Sequence, residues 1–265
     1  MLGAFSANSI FNELHAAEWD NLEKTYHGRD AVEMASNEDY WAVIQQGYSA
    51  STAPIIMLNN GGVSPSPIVV QQAVERFNQM TNLGPSYYMW QILDQGRENL
   101  RESLAKLGGC SPEEIAINRN ATEALVTVIY GLDLQRGDEV IGSHQDYPNM
   151  MQAWKQREMR EGIVYKQLDF EFPIEDDEQI VRAYQNAITP KTKALVPVHL
   201  YGHAANMDEI MKIAAEHNLY VIEDNAQAIG ADYIYPDGTK KKTGSIGTVG
   251  CTSFFPSKNL GCYGD

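Results

Sequence analysis

The chain has 265 residues, of which 43% are hydrophobic, and its 35 acidic and 20 basic side chains give a formal charge of −15. This length allows one large α/β domain with a sizeable core, and the acidic balance argues against a nucleic-acid partner. The sequence lacks an apolar run of the roughly 20 residues that a spanning helix needs and a basic-then-apolar leader, and its three unevenly spaced cysteines suggest no disulfide framework or zinc site. We therefore expect a cytoplasmic protein without a membrane partner.

Residues 1–50 carry apolar side chains at helical spacing and predict an amino-terminal helical arm, followed by one large domain over residues 51–265. A Gly-rich turn that contains Asn60 precedes a predicted helix through Val74. The next predicted helix ends at Gly108-Gly109, which is a typical stop signal.

Two junctions between a predicted strand and a predicted helix follow. Residues Glu114–Asn118 read as a strand, and Ala121 and Thr122 then open a helix whose free N–H groups and hydroxyl suit a phosphate, although such residues are also ordinary helix caps. Glu139–Ser143 is the second strand. Tyr147 lies at the turn after it, where an aromatic ring either stacks on a cofactor ring or simply packs.

The last part of the chain brings an acid and a lysine to the ends of two apolar runs. Leu219–Glu223 predicts a buried strand followed by Asp224, and the run Gly250–Phe255 carries Ser253 and leads to Lys258. Ligands of open α/β sheets bind at the carboxyl ends of the strands, so these groups are expected to converge.

A carboxylate, a hydroxyl and a lysine are the groups that pyridoxal 5′-phosphate (PLP) requires. Lys258 would form a Schiff base with the cofactor aldehyde, Asp224 would keep the pyridine nitrogen protonated, and Ser253 would bind the phosphate. On spacing alone, a strand-end acid and a solvated loop lysine are the more common arrangement.

Two late segments resemble the DegT/DnrJ/EryC1 sugar aminotransferase family: VHLYGHAANMDEIMKIAAEHNLYVIEDNAQAIGADY and GSIGTVGCTSFFPSKNLGCYGD. The family pattern is Glu-Asp-x-x-Gln followed by Ser-Phe-x-x-x-Lys-Asn, and the resemblance covers residues from about 190 to 265. It implies that Asp224 faces the pyridine nitrogen, Gln227 lies near the ring hydroxyl, Ser253 binds phosphate and Lys258 holds the cofactor.

Four earlier stretches resemble the class V aminotransferases, particularly the isopenicillin N epimerase-like group: LNNGGVSPSP, GPSYYMWQILDQGRENLR, INRNATEAL and HQDYPNMMQAWKQRE. This resemblance covers residues from about 1 to 190. It implies that Ala121 and Thr122 bind phosphate, that Tyr147 stacks on the ring in place of the family's more usual His, and that Asn60 approaches the substrate. The two patterns meet between residues 187 and 198, which fits a natural mosaic, a constructed chimera or a divergent member.

Together the resemblances imply a three-layer α/β/α domain of the fold-type I PLP class with a mainly parallel sheet. They imply a homodimer that transfers an amino group between a small-molecule donor and acceptor. Two alternatives stay open: an amino-acid epimerase or lyase of the class V type, and an incomplete or noncatalytic domain. Both families continue past the lysine into a small carboxyl-terminal domain, so we expect either that this chain is a fragment or that the protein lacks that domain. His199 and His203 are expected to be hydrogen-bonded structure.

Overall fold

The computed structural model describes residues 24–49, 54–59, 64–171, 173, 174, 176, 178–255, 258, 260 and 261. Residues 1–23 of the predicted arm lie outside this range, and so does Asn60. The described part of the arm contains α1 (Ala31–Ala35) and α2 (Glu38–Gln46), whose first turns are capped by the side chains of Asp30 and Asn37. The division of the chain at residue 50 stays a prediction.

A long helical region follows the arm. It consists of α3 (Ile68–Leu83), α4 (Pro85–Tyr87), a π-helical segment (Tyr88–Leu93) and α5 (Asp94–Gly108). Gly109 ends α5 with φ of 66°, a left-handed conformation that glycine adopts without steric cost. The predicted helix stop at this position is confirmed.

The strands of the domain are β1 Glu139–Ser143, β2 Val164–Leu168, β3 Thr192–Leu195, β4 Tyr220–Asp224, β5 Asp232–Ile234, β6 Lys240–Lys242 and β7 Val249–Cys251. Five of them form the parallel sheet at the centre of the domain, in the order β2-β1-β3-β4-β7. A separate antiparallel hairpin joins β5 to β6.

Helices cover both faces of this sheet. Helices α6 (Ala121–Gly131) and α7 (Pro148–Glu161) pack with Val140, Ala194 and Ile222 on one face. On the other face, α8 (Glu178–Ala187) and α9 (Met207–His217) pack with the alternate strand residues, which include Ile141 and Leu195. The predicted three-layer architecture is confirmed.

Residues Glu114–Asn118 are not a strand, so that prediction is wrong. Pro112–Glu114 forms a 3₁₀ turn, and residues 115–118 pair with no strand in the described part of the chain. The carbonyl oxygen of Ile115 instead accepts a hydrogen bond from Arg101 Nε at 3.1 Å. The run Gly250–Phe255 also pairs over a shorter length than predicted, because only residues up to Cys251 bond to β4.

The described residues contain no helix that is both long and apolar enough to cross a membrane. They also contain no group of three or more His, Cys, Asp and Glu side chains arranged to hold a metal ion.

Candidate active site

Asp224 ends β4 at the carboxyl edge of the sheet, and its side chain is only 3% exposed. The backbone N–H of Ala226 donates to Asp224 Oδ1 at 3.1 Å. Burial raises the pKa of this carboxyl and the charge of Asp146 raises it further, while the Ala226 bond, the charge of Lys258 and the nearby His199 ring oppose the rise. Nearby positive charge therefore only partly balances the negative charge of the buried Asp224 carboxylate.

Lys258 lies in the segment that follows β7, where its backbone N–H donates to Phe255 O at 2.8 Å. Partial burial lowers the pKa of its amine, and the charge of Asp224 acts in the opposite direction. The two groups therefore lie within electrostatic reach of each other, although 33 residues separate them along the chain. The fold brings together the acid and the lysine that the sequence singled out.

The amino terminus of α6 presents two backbone N–H groups. Two side chains cap the start of this helix: Asn120 Oδ1 accepts from Glu123 N at 2.8 Å, and Glu123 Oε2 accepts from Arg119 N at 2.6 Å. The N–H groups of Ala121 and Thr122 have no acceptor among the residues that the structure describes. These N–H groups, at the positive end of an 11-residue helix, suit a phosphate.

Ser253 is buried two residues after β7, and its Oγ accepts from Phe255 N at 3.3 Å. Helix α6 contacts β7, so the predicted phosphate donors come from elements that pack together.

Gln227 has a fixed orientation. Its Oε1 accepts a hydrogen bond from Tyr201 N at 3.0 Å, which leaves Nε2 as the donor of this amide. Tyr201 has φ of 54°, a left-handed conformation that is costly for a residue with a side chain. A donor at Nε2 is what the predicted contact with a ring hydroxyl requires.

Tyr147 lies at the N-cap of α7, as predicted, with 46% of its side chain exposed. Its hydroxyl accepts from Asn149 Nδ2 at 2.8 Å. No contact of its ring with a described aromatic side chain occurs, so its predicted role as a stacking platform stays a prediction.

Asp146 is a buried acid that the sequence analysis missed. Its carboxylate accepts from Ser143 N and Ser143 Oγ, both at 2.8 Å, and from the Tyr165 hydroxyl at 3.3 Å. Gly142 makes room for it, because a Cβ there would lie 2.5 Å from Asp146 Oδ2. Its position three residues after the end of β1 was the available signal, since ligands of open α/β sheets bind at the carboxyl ends of the strands.

His199 and Glu223 are both fully buried and hydrogen-bonded to each other at 2.8 Å. The expectation that His199 is hydrogen-bonded structure is confirmed. The sequence predicted no hydrogen-bonding role for Glu223 beyond its place at the end of a strand and in the Glu-Asp-x-x-Gln motif. Its partners come from a loop that no local sequence pattern connects to it.

The donor set fits PLP on the observations above. It offers a buried carboxylate for a cationic ring nitrogen, a lysine in electrostatic contact with it, unpaired helix N–H groups for phosphate and an amide donor.

A model of the DegT/DnrJ/EryC1/StrS aminotransferase family matches residues 89–265, which is well over half of the chain. The chain belongs to this family. The match begins at residue 89, so the DegT pattern extends over the part that also resembles class V enzymes. The class V resemblance of the first part continues to rest on its motifs.

Among curated relatives, UDP-N-acetyl-3-dehydro-alpha-D-glucosamine 3-aminotransferase of Acidithiobacillus ferrooxidans is 40% identical, with coverage of 55% of this chain and 37% of the relative. The dTDP-3-amino-3,4,6-trideoxy-alpha-D-glucose transaminase of Streptomyces venezuelae is 35% identical, with coverage of 66% and 44%. The DegT-family chain thus spans less than half the length of these relatives.

Two solved structures extend the comparison. A mutant of the C-S lyase C-DES with glycine covalently linked to its PLP cofactor matches with a TM-score of 0.62 and 25% identity, over 69% of this chain and 50% of that one. DesV of S. venezuelae matches with a TM-score of 0.51 and 32% identity, over 74% and 50%. The fold-type I assignment and the cofactor prediction are confirmed at the level of this family.

Proposed function

We propose that this DegT-family chain forms the cofactor-binding part of a PLP-dependent aminotransferase. The observation that carries the proposal is the convergence of the buried Asp224 carboxylate and the Lys258 amine, which shift each other's pKa, at the carboxyl edge of a parallel sheet. Family membership makes amino-group transfer the leading reaction.

PLP supplies an aldehyde that condenses with amines and a ring that accepts electrons. Asp224 would hold a proton at the ring nitrogen, where a positive charge would offset the cost of burying the ionised carboxylate. The N–H groups of Ala121 and Thr122 and the Ser253 hydroxyl bind the phosphate, and Gln227 Nε2 donates to the ring hydroxyl. Lys258 Nζ holds the cofactor and then takes and returns a proton at the substrate α-carbon.

The amino acceptor that we propose is a keto sugar carried on a nucleoside diphosphate. Several relatives are named for reactions on UDP- or dTDP-linked sugars, including the aminotransferase of Pseudomonas aeruginosa named for UDP-2-acetamido-2-deoxy-3-oxo-D-glucuronate, which is 42% identical. The amino donor that we propose is glutamate. We propose Asn60 as a substrate contact and Tyr147 as the residue that stacks on the cofactor ring.

A second candidate function is Cα/Cβ lyase chemistry on an amino acid. It is favoured by the likeness to C-DES, a cystine C-S lyase, and by the class V motifs of residues 1–190. Both reactions would begin with removal of a proton from the substrate α-carbon by the same lysine, so the same residues would serve either one.

We also propose that the protein is a cytoplasmic homodimer. The support is the acidic composition without a disulfide pattern, and the large apolar side chains that are exposed outside the sheet, among them Ile56, Leu58, Leu83 and Trp90. Sedimentation equilibrium of the purified chain tests this, and a monomer at micromolar concentration would contradict it.

The test of function uses the chain incubated with PLP and then reduced with borohydride. We expect a yellow protein and, after reduction, a pyridoxyl group on the Lys258 peptide by mass mapping. Lys258→Ala should keep PLP noncovalently and show no such peptide, and Lys241→Ala in the exposed hairpin is the matched control that should behave like the wild type. A chain that stays colourless and takes up no PLP would refute the cofactor assignment.

Substrates then separate the two reactions. Glutamate should yield 2-oxoglutarate and leave the bound cofactor in its amine form, whereas a lyase should release cysteine persulfide from cystine. Persulfide without 2-oxoglutarate would make the lyase the correct function.

A further inference from the structure

The buried Glu223 carboxylate collects four hydrogen bonds next to the proposed site. His199 Nε2 and Gly244 N lie 2.8 Å from Oε2, while Ile246 N and Gly247 N lie 2.8 and 2.6 Å from Oε1. Three of these donors belong to one loop, residues 244–247, which connects β6 to β7. The carboxylate therefore anchors that loop to the end of β4.

His199 fixes one side of this arrangement. Its Nδ1 accepts from Ala205 N at 3.1 Å, so the ring proton is on Nε2, which donates to Glu223. The backbone N–H of His199 donates to Asp224 O at 3.0 Å. One residue thus bonds to both acids of the Glu-Asp-x-x-Gln motif.

Glu223 stays ionised in spite of its burial. Burial raises the pKa of its carboxyl, but the hydrogen bonds from His199, Gly247, Gly244 and Ile246 outweigh this effect and hold the pKa below its usual value. A buried charge that loses its donors is very costly. The loop therefore has one strongly preferred position on β4.

That position determines where β7 runs. A Cβ on Gly250 would lie 2.1 Å from Gly244 O, so the loop and β7 are in direct backbone contact. Strand β7 pairs with β4 in the register Glu223 to Gly250 and Asp224 to Cys251. The chain then continues directly through Ser253 to Lys258.

We propose that His199 and Glu223 are positioning residues, which clamp residues 244–247 and thereby hold Ser253 and Lys258 beside Asp224. The proposal rests on the proposed function for the role of Lys258, but the clamp acts through protein groups alone. It can therefore be measured without cofactor.

Glu223→Gln is the sharpest perturbation. The carboxylate accepts four N–H groups, whereas a glutamine amide would turn its own NH₂ toward two of these donors. We expect loop 244–247 to detach, and amide exchange at Gly244, Ile246 and Gly247 to accelerate by about tenfold or more, since bonds to charged groups are of that strength. Glu216→Gln, on the exposed side of α9, is the matched control and should change nothing.

Lys258 gives the readout that a merely stabilising contact would not move. In the cofactor-free chain, the pH dependence of acetylation at Lys258 is compared with that at exposed Lys241 by peptide mass. The Lys258 midpoint should lie below that of Lys241 in the wild type, because burial lowers the pKa of Lys258. In Glu223→Gln the two midpoints should coincide.

A lower unfolding midpoint for Glu223→Gln with an unchanged Lys258 profile would overturn the proposal. If that variant does not fold, Glu223→Asp and His199→Gln replace it, and wild-type profiles for both would be equally decisive against the clamp. If the wild-type chain fails to bind PLP, the proposed function is wrong, but the amide-exchange and acetylation experiments on the cofactor-free chain still test the clamp.

Discussion

Gly250→Ala tests how tightly β7 is held against the loop that precedes it. The added Cβ would lie 2.1, 2.5 and 2.6 Å from the O, Cα and C atoms of Gly244. Because these are backbone atoms, no side-chain rotation relieves the overlap, and the distance to the oxygen must grow from 2.1 to at least 3.0 Å. That movement also withdraws the Gly244 N–H from Glu223.

The expected cost combines two terms. Overpacking of this kind costs about 1–3 kcal/mol, and a weakened hydrogen bond to a buried charge costs about 1.5–3 kcal/mol. We therefore expect Gly250→Ala to lose about 3 kcal/mol or more, a large part of a typical domain stability of about 5–15 kcal/mol. The assay is urea denaturation of the cofactor-free chain, with the slope checked for two-state behaviour.

Gly96→Ala is the matched control. Gly96 is inside α5, where a Cβ would meet nothing within 4 Å, so the same substitution should gain about 0.5–1 kcal/mol from helix propensity. Opposite signs for the two variants are the expected result. A Gly250→Ala chain within about 0.5 kcal/mol of the wild type would refute the view that residues 244–247 are fixed.

Two further variants test other parts of the site and its support. Burial raises the pKa of Asp224, so the contribution of this group to stability is present below the ordinary aspartate pKa of about 3.9 and is lost as pH rises through the folded-state pKa. In thermal melts, Asp224→Asn should therefore stabilise the cofactor-free chain increasingly from acid to neutral pH. A difference between variant and wild type that does not change with pH would contradict this. Arg157 is buried and donates to the carbonyl oxygens of Ile129 and Leu132. In urea denaturation, Arg157→Met should lower the free energy of unfolding by about 3 kcal/mol, whereas Arg160→Met, at an exposed position, should not. Equal losses in the two variants would refute this.

The sequence alone predicted several elements and marked the residues of the candidate site. A short run of residues predicted β1 with its observed bounds, because this strand is buried along nearly its whole length. The Glu-Asp-x-x-Gln and Ser-Phe-x-x-x-Lys patterns also marked Asp224 and Lys258. Such patterns are local in the sequence, so they can be recognised before it is known which residues contact each other in the fold.

Only the tertiary structure decided the rest. Glu114–Asn118 has a strand-like sequence, but a strand forms only where a neighbouring strand pairs with it. Arg101 Nε donates to the Ile115 carbonyl oxygen instead. Glu223 reads like any strand-end acid, and its function as an anchor depends on three N–H groups more than 20 residues away. A hydrogen bond or a charge interaction depends on distance in space, and the chain sets that distance only after it has folded.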